Sequence, residues 1–253
     1  MKTKLYLLCT ILFISLSTRA ITTIQADTNK MDTAGKKTGL WKEKTGQTDW
    51  YGNYQNDKKE GLWIGYYSNG AINNLDEYKN GRKNGLSITF DKGGYYTQKY
   101  YYVNDTLNGM CINYFSGARP SAETEYSMGV INGKKNLYYQ DGKIQEKAIY
   151  FHGMRNGITQ WFYPEAKINM EYNYKMGAID GMEKSFYKNG NVNSEVNVVS
   201  NLEEGPYKEY FENGKIKITG KYVHGKKEGS WNETDEDGKI IKVENYKNGE
   251  LKK

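Results

Sequence analysis

A glycine returns every 24 residues along most of this chain, and this spacing constrains the fold more than any other feature of the sequence. The anchor glycines are Gly61, Gly85, Gly109, Gly133, Gly157, Gly181, Gly205 and Gly229. A fixed period of this length is the signature of a repeat array, in which each unit packs on its neighbours. The sequence therefore predicts eight 24-residue units in register, preceded by a 22-residue unit that begins at Gly39.

Two further positions of each unit, nine and twenty residues after the anchor glycine, also favour turns. Position nine is Gly or Ala in every unit, and position twenty is Gly, Asp or Asn. Because Gly, Asn and Asp tolerate a positive φ angle, positions zero, nine and twenty are predicted turn sites. Two turns in 24 residues leave room for two short strands, so each unit is predicted to be one β-hairpin.

Apolar and polar residues alternate in the second strand of each unit. Position eleven is mostly Ile or Val, as in Ile168, and position seventeen is mostly Tyr, as in Tyr174, whereas position fourteen is mostly charged or polar, as in Glu171. This period of two predicts a half-buried strand with positions eleven and seventeen on one face. Paired aromatic residues such as Tyr66 and Tyr67 mark the first strand. We expect an all-β fold, an elongated solenoid-like stack of hairpins that forms one extended, twisted antiparallel sheet.

Two recurring motifs resemble those of the MORN repeat family, in its bacterial 24-residue variant. They are the aromatic-aromatic-x-Asn-Gly turn, best seen at Tyr66–Gly70, and the Glu-Tyr-x-Asn-Gly-x-x-x-Gly connector at Glu77–Gly85. The resemblance covers about residues 39–253. It implies stacked antiparallel hairpins with roles in protein binding, scaffolding or membrane-lipid association. Bacterial members are often labelled antitoxin-like, a label that implies no catalytic residue.

Residues 1–20 have the three parts of a secretory signal peptide. Lys2 and Lys4 form a basic start, Leu5–Leu16 is an apolar run, and Thr18–Ala20 is a small-x-small cleavage motif. A membrane anchor, which needs roughly 20 apolar residues, and a lipoprotein modified at Cys9 are the alternatives. We expect cleavage near Ala20 and export to the periplasm, the cell surface or the medium.

Residues 21–38 are polar and without periodicity, and we expect them to be a flexible lead-in to a single repeat domain at residues 39–253. Removal of residues 1–20 would leave 33 basic and 30 acidic residues, a net charge of +3. No block of like charge supplies the basic face that nucleic-acid binding needs, so no nucleic-acid partner is predicted. Only Cys111 would remain, so no intramolecular disulfide can form.

Residues that depart from the repeat pattern are the candidates for catalysis or metal binding. His152 and His224 share position nineteen, but three units, roughly 29 Å, would separate them, too far for one metal ion. Cys111 has no histidine placed beside it, so it is expected to be a small buried residue. Glu233–Glu244 has the acidic spacing of a calcium loop, but the turn role of Gly238 and the flanking strands argue against it. We predict no catalytic residue, metal, cofactor or small-molecule substrate.

The connectors between units carry the candidate binding residues. Basic pairs lie near the two ends of the array, at Lys58-Lys59, Arg82-Lys83 and Lys226-Lys227, whereas the middle connectors are apolar. The candidate residues are Leu107, Val130, Ile131, Met154 and Ile179. Either these residues reflect drift at solvent-tolerant turns, or they form an apolar strip along one long edge that docks a partner.

We therefore expect an exported, non-enzymatic repeat protein that binds a protein partner or acts as a scaffold. Peripheral binding to a membrane surface is the alternative, and it would need basic residues along one edge. An antitoxin-like role is a further alternative, but it fits badly with a secretion signal, because a toxin neutralised in the cytoplasm needs its partner there.

Overall fold

The computed structural model of the chain describes residues 28–252, which form a single antiparallel sheet of 23 strands. The strands are β1 (Lys30–Met31), β2 (Lys37–Thr45), β3 (Thr48–Gln55), β4 (Lys58–Tyr66), β5 (Ile72–Lys79), β6 (Arg82–Phe90), β7 (Tyr96–Val103), β8 (Thr106–Leu107), β9 (Gly109–Phe115), β10 (Arg119–Ser127), β11 (Val130–Tyr138), β12 (Ile144–Phe151), β13 (Met154–Arg155), β14 (Gly157–Phe162), β15 (Ile168–Lys175), β16 (Ala178–Phe186), β17 (Val192–Val199), β18 (Leu202–Tyr210), β19 (Ile216–Val223), β20 (Lys226–Lys227), β21 (Gly229–Thr234), β22 (Ile240–Lys247) and β23 (Glu250–Leu251). None of residues 28–252 is helical, so this range contains no helix able to cross a membrane. The predicted all-β stack of hairpins is confirmed.

Two turns reverse the chain in each unit, as the sequence predicts. In the unit that begins at Gly61, the first turn is closed by a hydrogen bond from the Tyr67 amide to the Ala71 carbonyl at 2.8 Å. The second turn consists of Asn80 and Gly81, whose φ angles are 52° and 82°. Positive φ at both central residues matches the right-handed twist of the strands on either side. This geometry explains why position twenty is Gly, Asn or Asp in every unit.

The anchor glycine lies inside a strand rather than at a chain reversal. Gly61 has a φ angle of 69° and pairs with Tyr78 of β5. Against β3, however, the register shifts around it, because Asn53 pairs with Glu60 whereas Tyr51 pairs with Ile64. The left-handed conformation predicted at position zero is therefore confirmed, but it produces a β-bulge that bends the strand.

The sheet carries two aromatic rows on opposite faces. On face A, row A comprises positions two and seventeen, as in Trp63 and Tyr78, whose ring centroids lie 6.3 Å apart. On face B, row B comprises positions five and eleven, as in Phe90 and Tyr96, whose centroids lie 5.3 Å apart. Cross-strand partners share a face, and position eleven pairs with position five, whereas position seventeen pairs with the anchor glycine.

The prediction that positions eleven and seventeen share a face is wrong. A register shift in each unit, such as that between Gly65 and Tyr66, pairs Tyr66 with Ile72 although Gly65 pairs with Asn74. The bulged residue, Asn73, changes the parity between the two ends of β5. Counting by twos therefore fails across position twelve.

The buried side chains are concentrated on face A. They are Trp41, Trp63, Asp76, Ser87, Cys111, Thr124, Glu146, Ala148, Thr159, Val196, Val198 and Trp231, whereas Phe162 is buried on face B. No second layer covers the sheet among residues 28–252, so these side chains are buried by one another. Face A is therefore the face of the sheet that carries the core.

Part of the predicted flexible lead-in is paired with the first unit. In β1, Met31 pairs with Lys37 at the start of β2. The Asn29 amide donates to the Leu40 carbonyl at 2.9 Å, and its side-chain oxygen accepts from the Lys42 amide at 2.7 Å. Residues 29–31 thus extend the sheet by one short segment, a contribution that composition alone does not indicate. The predicted signal peptide, residues 1–20, lies outside the described residues.

Candidate binding surface

Polar side chains hold the second turns of successive units in a stack along one long edge of the sheet, which we call the connector edge. The side-chain oxygen of position twenty-three accepts from the amide of position nineteen in the next unit, as between Asn132 and His152 at 3.1 Å. The amide of position twenty donates to the position-twenty-two carbonyl of the preceding unit, as between Gly153 and Ile131 at 2.8 Å. These contacts fix the side chains of the connector edge in a regular row.

The five candidate residues do not lie together, because they occupy two adjacent positions whose side chains point to opposite faces. Leu107, Ile131 and Ile179 are at position twenty-two, where each pairs with a row-A tyrosine. Their partners are Tyr102, Tyr126 and Tyr174. Val130 and Met154 are at position twenty-one, where both side chains are exposed on the other face.

Val130 and Met154 belong to a longer apolar strip, and they are the two members of it that the sequence pattern predicts. We call this the connector strip, and its members, between 39% and 75% exposed, are Met128, Val130, Phe151, Met154, Met176, Val199 and Leu202. Phe151 pairs directly with Met154, and Val199 with Leu202. A β carbon at Gly153 would lie 3.3 Å from Val130, and one at Gly177 would lie 3.7 Å from Met154, so the row is continuous between units.

A signal for the missed members was present in the sequence. Positions eighteen, nineteen and twenty-one flank or form the second turn. Position nineteen is Asn in units such as those with Asn80 and Asn104, but it is Met128 and Met176 in the middle of the array. Reading apolar residues on both sides of the turn, instead of after it alone, would have found the strip.

Three of the six basic connector residues contact aromatic or acidic side chains on face A. The Lys59 ammonium lies 3.8 Å from the centre of a Trp63 ring, and the Lys227 ammonium lies 4.1 Å from a Trp231 ring. Lys83 pairs with Asp76 at 3.0 Å. These three residues are at position twenty-two, whereas their basic neighbours at position twenty-one are exposed. Those neighbours are Lys58, Arg82 and Lys226.

The residues considered for catalysis or metal binding have structural surroundings. His152 and His224 are exposed turn residues with φ angles of 49° and 51°. Cys111 is buried, as predicted, and burial raises the pKa of its thiol. Gly238 lies in a turn with a φ angle of 86°, as expected for position nine. Within residues 28–252, no group of three or more His, Cys, Asp and Glu side chains is placed to hold a metal ion.

A family model described as a MORN repeat variant matches four segments of the chain, at residues 59–80, 131–152, 179–199 and 203–224. Each matched segment begins two residues before an anchor glycine. The matched segments therefore have the same register as the bulges and turns described above. The chain therefore contains MORN repeats. MORN repeats are generally non-enzymatic modules that bind proteins or membranes. The intervening units, at Gly85, Gly109 and Gly157, keep the positive φ angles of the matched units. No curated protein sequence matches the chain.

Proposed function

We propose that this MORN-repeat chain is an exported, non-enzymatic module that docks a protein partner along the connector strip. The observation that carries the proposal is the concentration of exposed large apolar side chains at one edge of four consecutive units. Contiguous apolar patches are uncommon on soluble proteins and mark interaction sites. The strip also lies on rigid, hydrogen-bonded turns, so a partner would not have to order it on binding.

The charges around the strip suggest the chemistry of the partner. Lys58 and Arg82 precede the apolar members at position twenty-one, and Lys226 follows them. A segment with apolar anchors in its centre and acidic residues at its ends would match both features. Complementary charges at the rim would mainly accelerate association and select the partner, whereas the apolar centre would supply most of the affinity.

Membrane binding is the alternative role that the family allows, and the charge arrangement favours it less. Adsorption to an anionic surface gains roughly 1 kcal/mol for each basic residue near the headgroups. On the connector edge, Lys59 and Lys227 lie over tryptophan rings and Lys83 is paired with a buried carboxylate. Fewer cations are therefore available to a flat surface than the sequence suggests.

Selection of a random peptide library on the purified chain tests the proposal. We expect enriched peptides to carry apolar anchors with acidic flanks and to bind at least about tenfold more weakly to the Val130→Asp/Met154→Asp variant. Leu62→Asp is the matched control, because Leu62 is similarly exposed but lies outside the strip. Its binding should equal that of the unchanged chain.

Two results would overturn the proposal. In the first, the selected peptides bind the strip variant as tightly as the unchanged chain, which would remove the strip from recognition. In the second, vesicles with one-third phosphatidylserine bind the chain strongly in physiological salt while no peptide is enriched, which would assign the membrane role instead.

A further inference from the structure

The unit that begins at Gly157 departs from the other units on face A. Position four is aromatic only there, where it is Trp161, and position two is the small residue Thr159. In the units with Trp63 and Trp231, an indole at position two fills the face instead. Moving the large ring by two residues leaves a groove between this unit and the one before it.

Two side chains of the preceding unit, Glu146 and Arg155, hold the Trp161 ring in place. Its indole N–H donates to Glu146 Oε2 at 3.0 Å, and Glu146 Oε1 accepts from Arg155 Nη2 at 2.8 Å. The Arg155 guanidinium lies 5.3 Å from the Trp161 ring centre and 5.6 Å from that of Tyr174. A ring fixed in this way is ready to bind without losing further side-chain freedom.

The groove itself has a volume of about 400 Å³ and combines aromatic walls with an amide rim. Trp161 and Tyr172 meet nearly at right angles, with ring centroids 5.2 Å apart, and form two of its walls. Gln145 and Asn169 lie at the rim at position twelve of successive units. Among residues 28–252, neither amide side chain has a hydrogen-bond partner. Each thus offers one acceptor and two donor N–H groups.

We propose that this groove binds a pyranose residue of a glycan. The apolar C–H face of a pyranose packs on an aromatic ring, and its hydroxyl groups pair with side-chain amides that both donate and accept. The groove provides these two features together and no fixed charge at its rim. A proline-rich peptide, the other common ligand of aromatic grooves, uses an indole N–H as donor, and that of Trp161 is already donated to Glu146.

The glycan site is independent of the connector strip. Trp161 and Tyr172 lie on face A, where Gln145 and Asn169 line the same groove, whereas Val130 and Met154 are exposed on face B. The spacing of Gln145 and Asn169 by one unit, two strands of the sheet or roughly 10 Å, would allow successive sugars of one chain to contact equivalent side chains. The expectation of no small-molecule ligand, based on the absence of short motifs, does not extend to such a groove.

A glycan array followed by calorimetric titration of the best ligands, with cellotetraose and chitotetraose included as defined probes, tests the proposal. We expect Trp161→Ala to weaken binding at least about tenfold and Gln145→Ala/Asn169→Ala to weaken it severalfold. Asn193→Ala is the matched control, since Asn193 is also at position twelve but is flanked at position four by Ser185 and Glu209. It should bind as the unchanged chain does.

Loss of the fold in Trp161→Ala, detected by circular dichroism, would leave the rim variant as the deciding measurement, because both amides lie at the surface without partners. The proposal is overturned if no glycan binds, or if bound glycans are indifferent to both the ring and the rim variants. It is also overturned if proline-rich peptides bind in a Trp161-dependent manner while glycans do not.

Discussion

The indole of Trp231 lies directly over Gly220, so that a β carbon at residue 220 would come within 2.2 Å of the ring. The same relationship holds between Trp63 and Gly52 near the other end of the array, also at 2.2 Å. In each case the glycine lies nine residues before the next anchor glycine, and the tryptophan is at position two of the following unit. Glycine is present here because a close approach excludes any side chain, since neither glycine has a positive φ angle.

Gly220→Ala should therefore destabilise the fold through overpacking. We expect the free energy of unfolding to fall by about 1–3 kcal/mol in urea denaturation, because the Trp231 ring must shift. Combining it with Trp231→Phe should cost less than the sum of the two single changes, because the smaller ring leaves room for the methyl group. Strict additivity of the two changes would contradict the proposed contact.

Lys83→Met tests the buried carboxylate of face A. Asp76 is buried and accepts hydrogen bonds from Lys83 and Ser87, so removing the ammonium leaves a poorly compensated charge. We expect a loss of about 1–3 kcal/mol in the free energy of unfolding. The Lys83→Met/Asp76→Asn variant should recover part of it. No recovery in chemical denaturation would show that Lys83 acts through its packing on Tyr102 instead.

Alkaline pH should destabilise the fold partly through two row-B tyrosines, Tyr138 and Tyr210. Burial and a hydrogen bond to Glu123 raise the pKa of Tyr138 to about 12, and burial and a hydrogen bond to Glu195 raise the pKa of Tyr210 to about 12. Tyrosine hydroxyls of the unfolded chain ionise near pH 10. The stabilisation is therefore complete below about pH 10 and is lost as the pH rises towards about 12. Over this pH range, the melting temperature of the Tyr138→Phe/Tyr210→Phe variant should fall less than that of the unchanged chain. Equal losses would contradict the assignment.

Deletion of one whole period should preserve the fold. Removing residues 133–156 joins Asn132 to Gly157, and Thr159 then takes the place of Lys135 opposite Thr124. We expect a soluble, cooperatively unfolding protein whose sheet is shorter by roughly 10 Å in small-angle scattering. Deleting residues 133–144 instead should unfold the chain, because one turn and one strand are lost. Equal damage from both deletions would show that the units are not modular.

Export predicts a defined chain start. If residues 1–20 are a signal peptide, intact-mass analysis of the extracytoplasmic fraction should find a protein that begins near Ile21, with Lys2, Lys4 and Arg19 removed. Replacing Leu8 and Leu12 with Arg should prevent cleavage and keep the chain in the cytoplasm. Recovery of only full-length chain in the cytoplasm from the unchanged gene would contradict export and favour the antitoxin-like alternative.

Much of the fold follows from the repeat alone, because turn chemistry is local. The positive φ angles at Gly61, Gly70 and Gly81 were predictable, since few residues other than Gly, Asn and Asp adopt them without strain. The connector ladder, by contrast, joins Asn132 to His152 across 20 residues. A contact between units leaves no local pattern, so only the paired strands reveal why position twenty-three is polar.

The sequence by itself determined the hairpin repeat, its period and the apolar character of the middle connectors. The tertiary structure decided which face each side chain occupies. The bulge at position twelve reverses parity within a strand, so Ile72 lies on face B although Tyr78, six residues later, lies on face A. Parity depends on strand register, and register is set by pairing between distant residues. The groove at Trp161 likewise exists only because two units meet there.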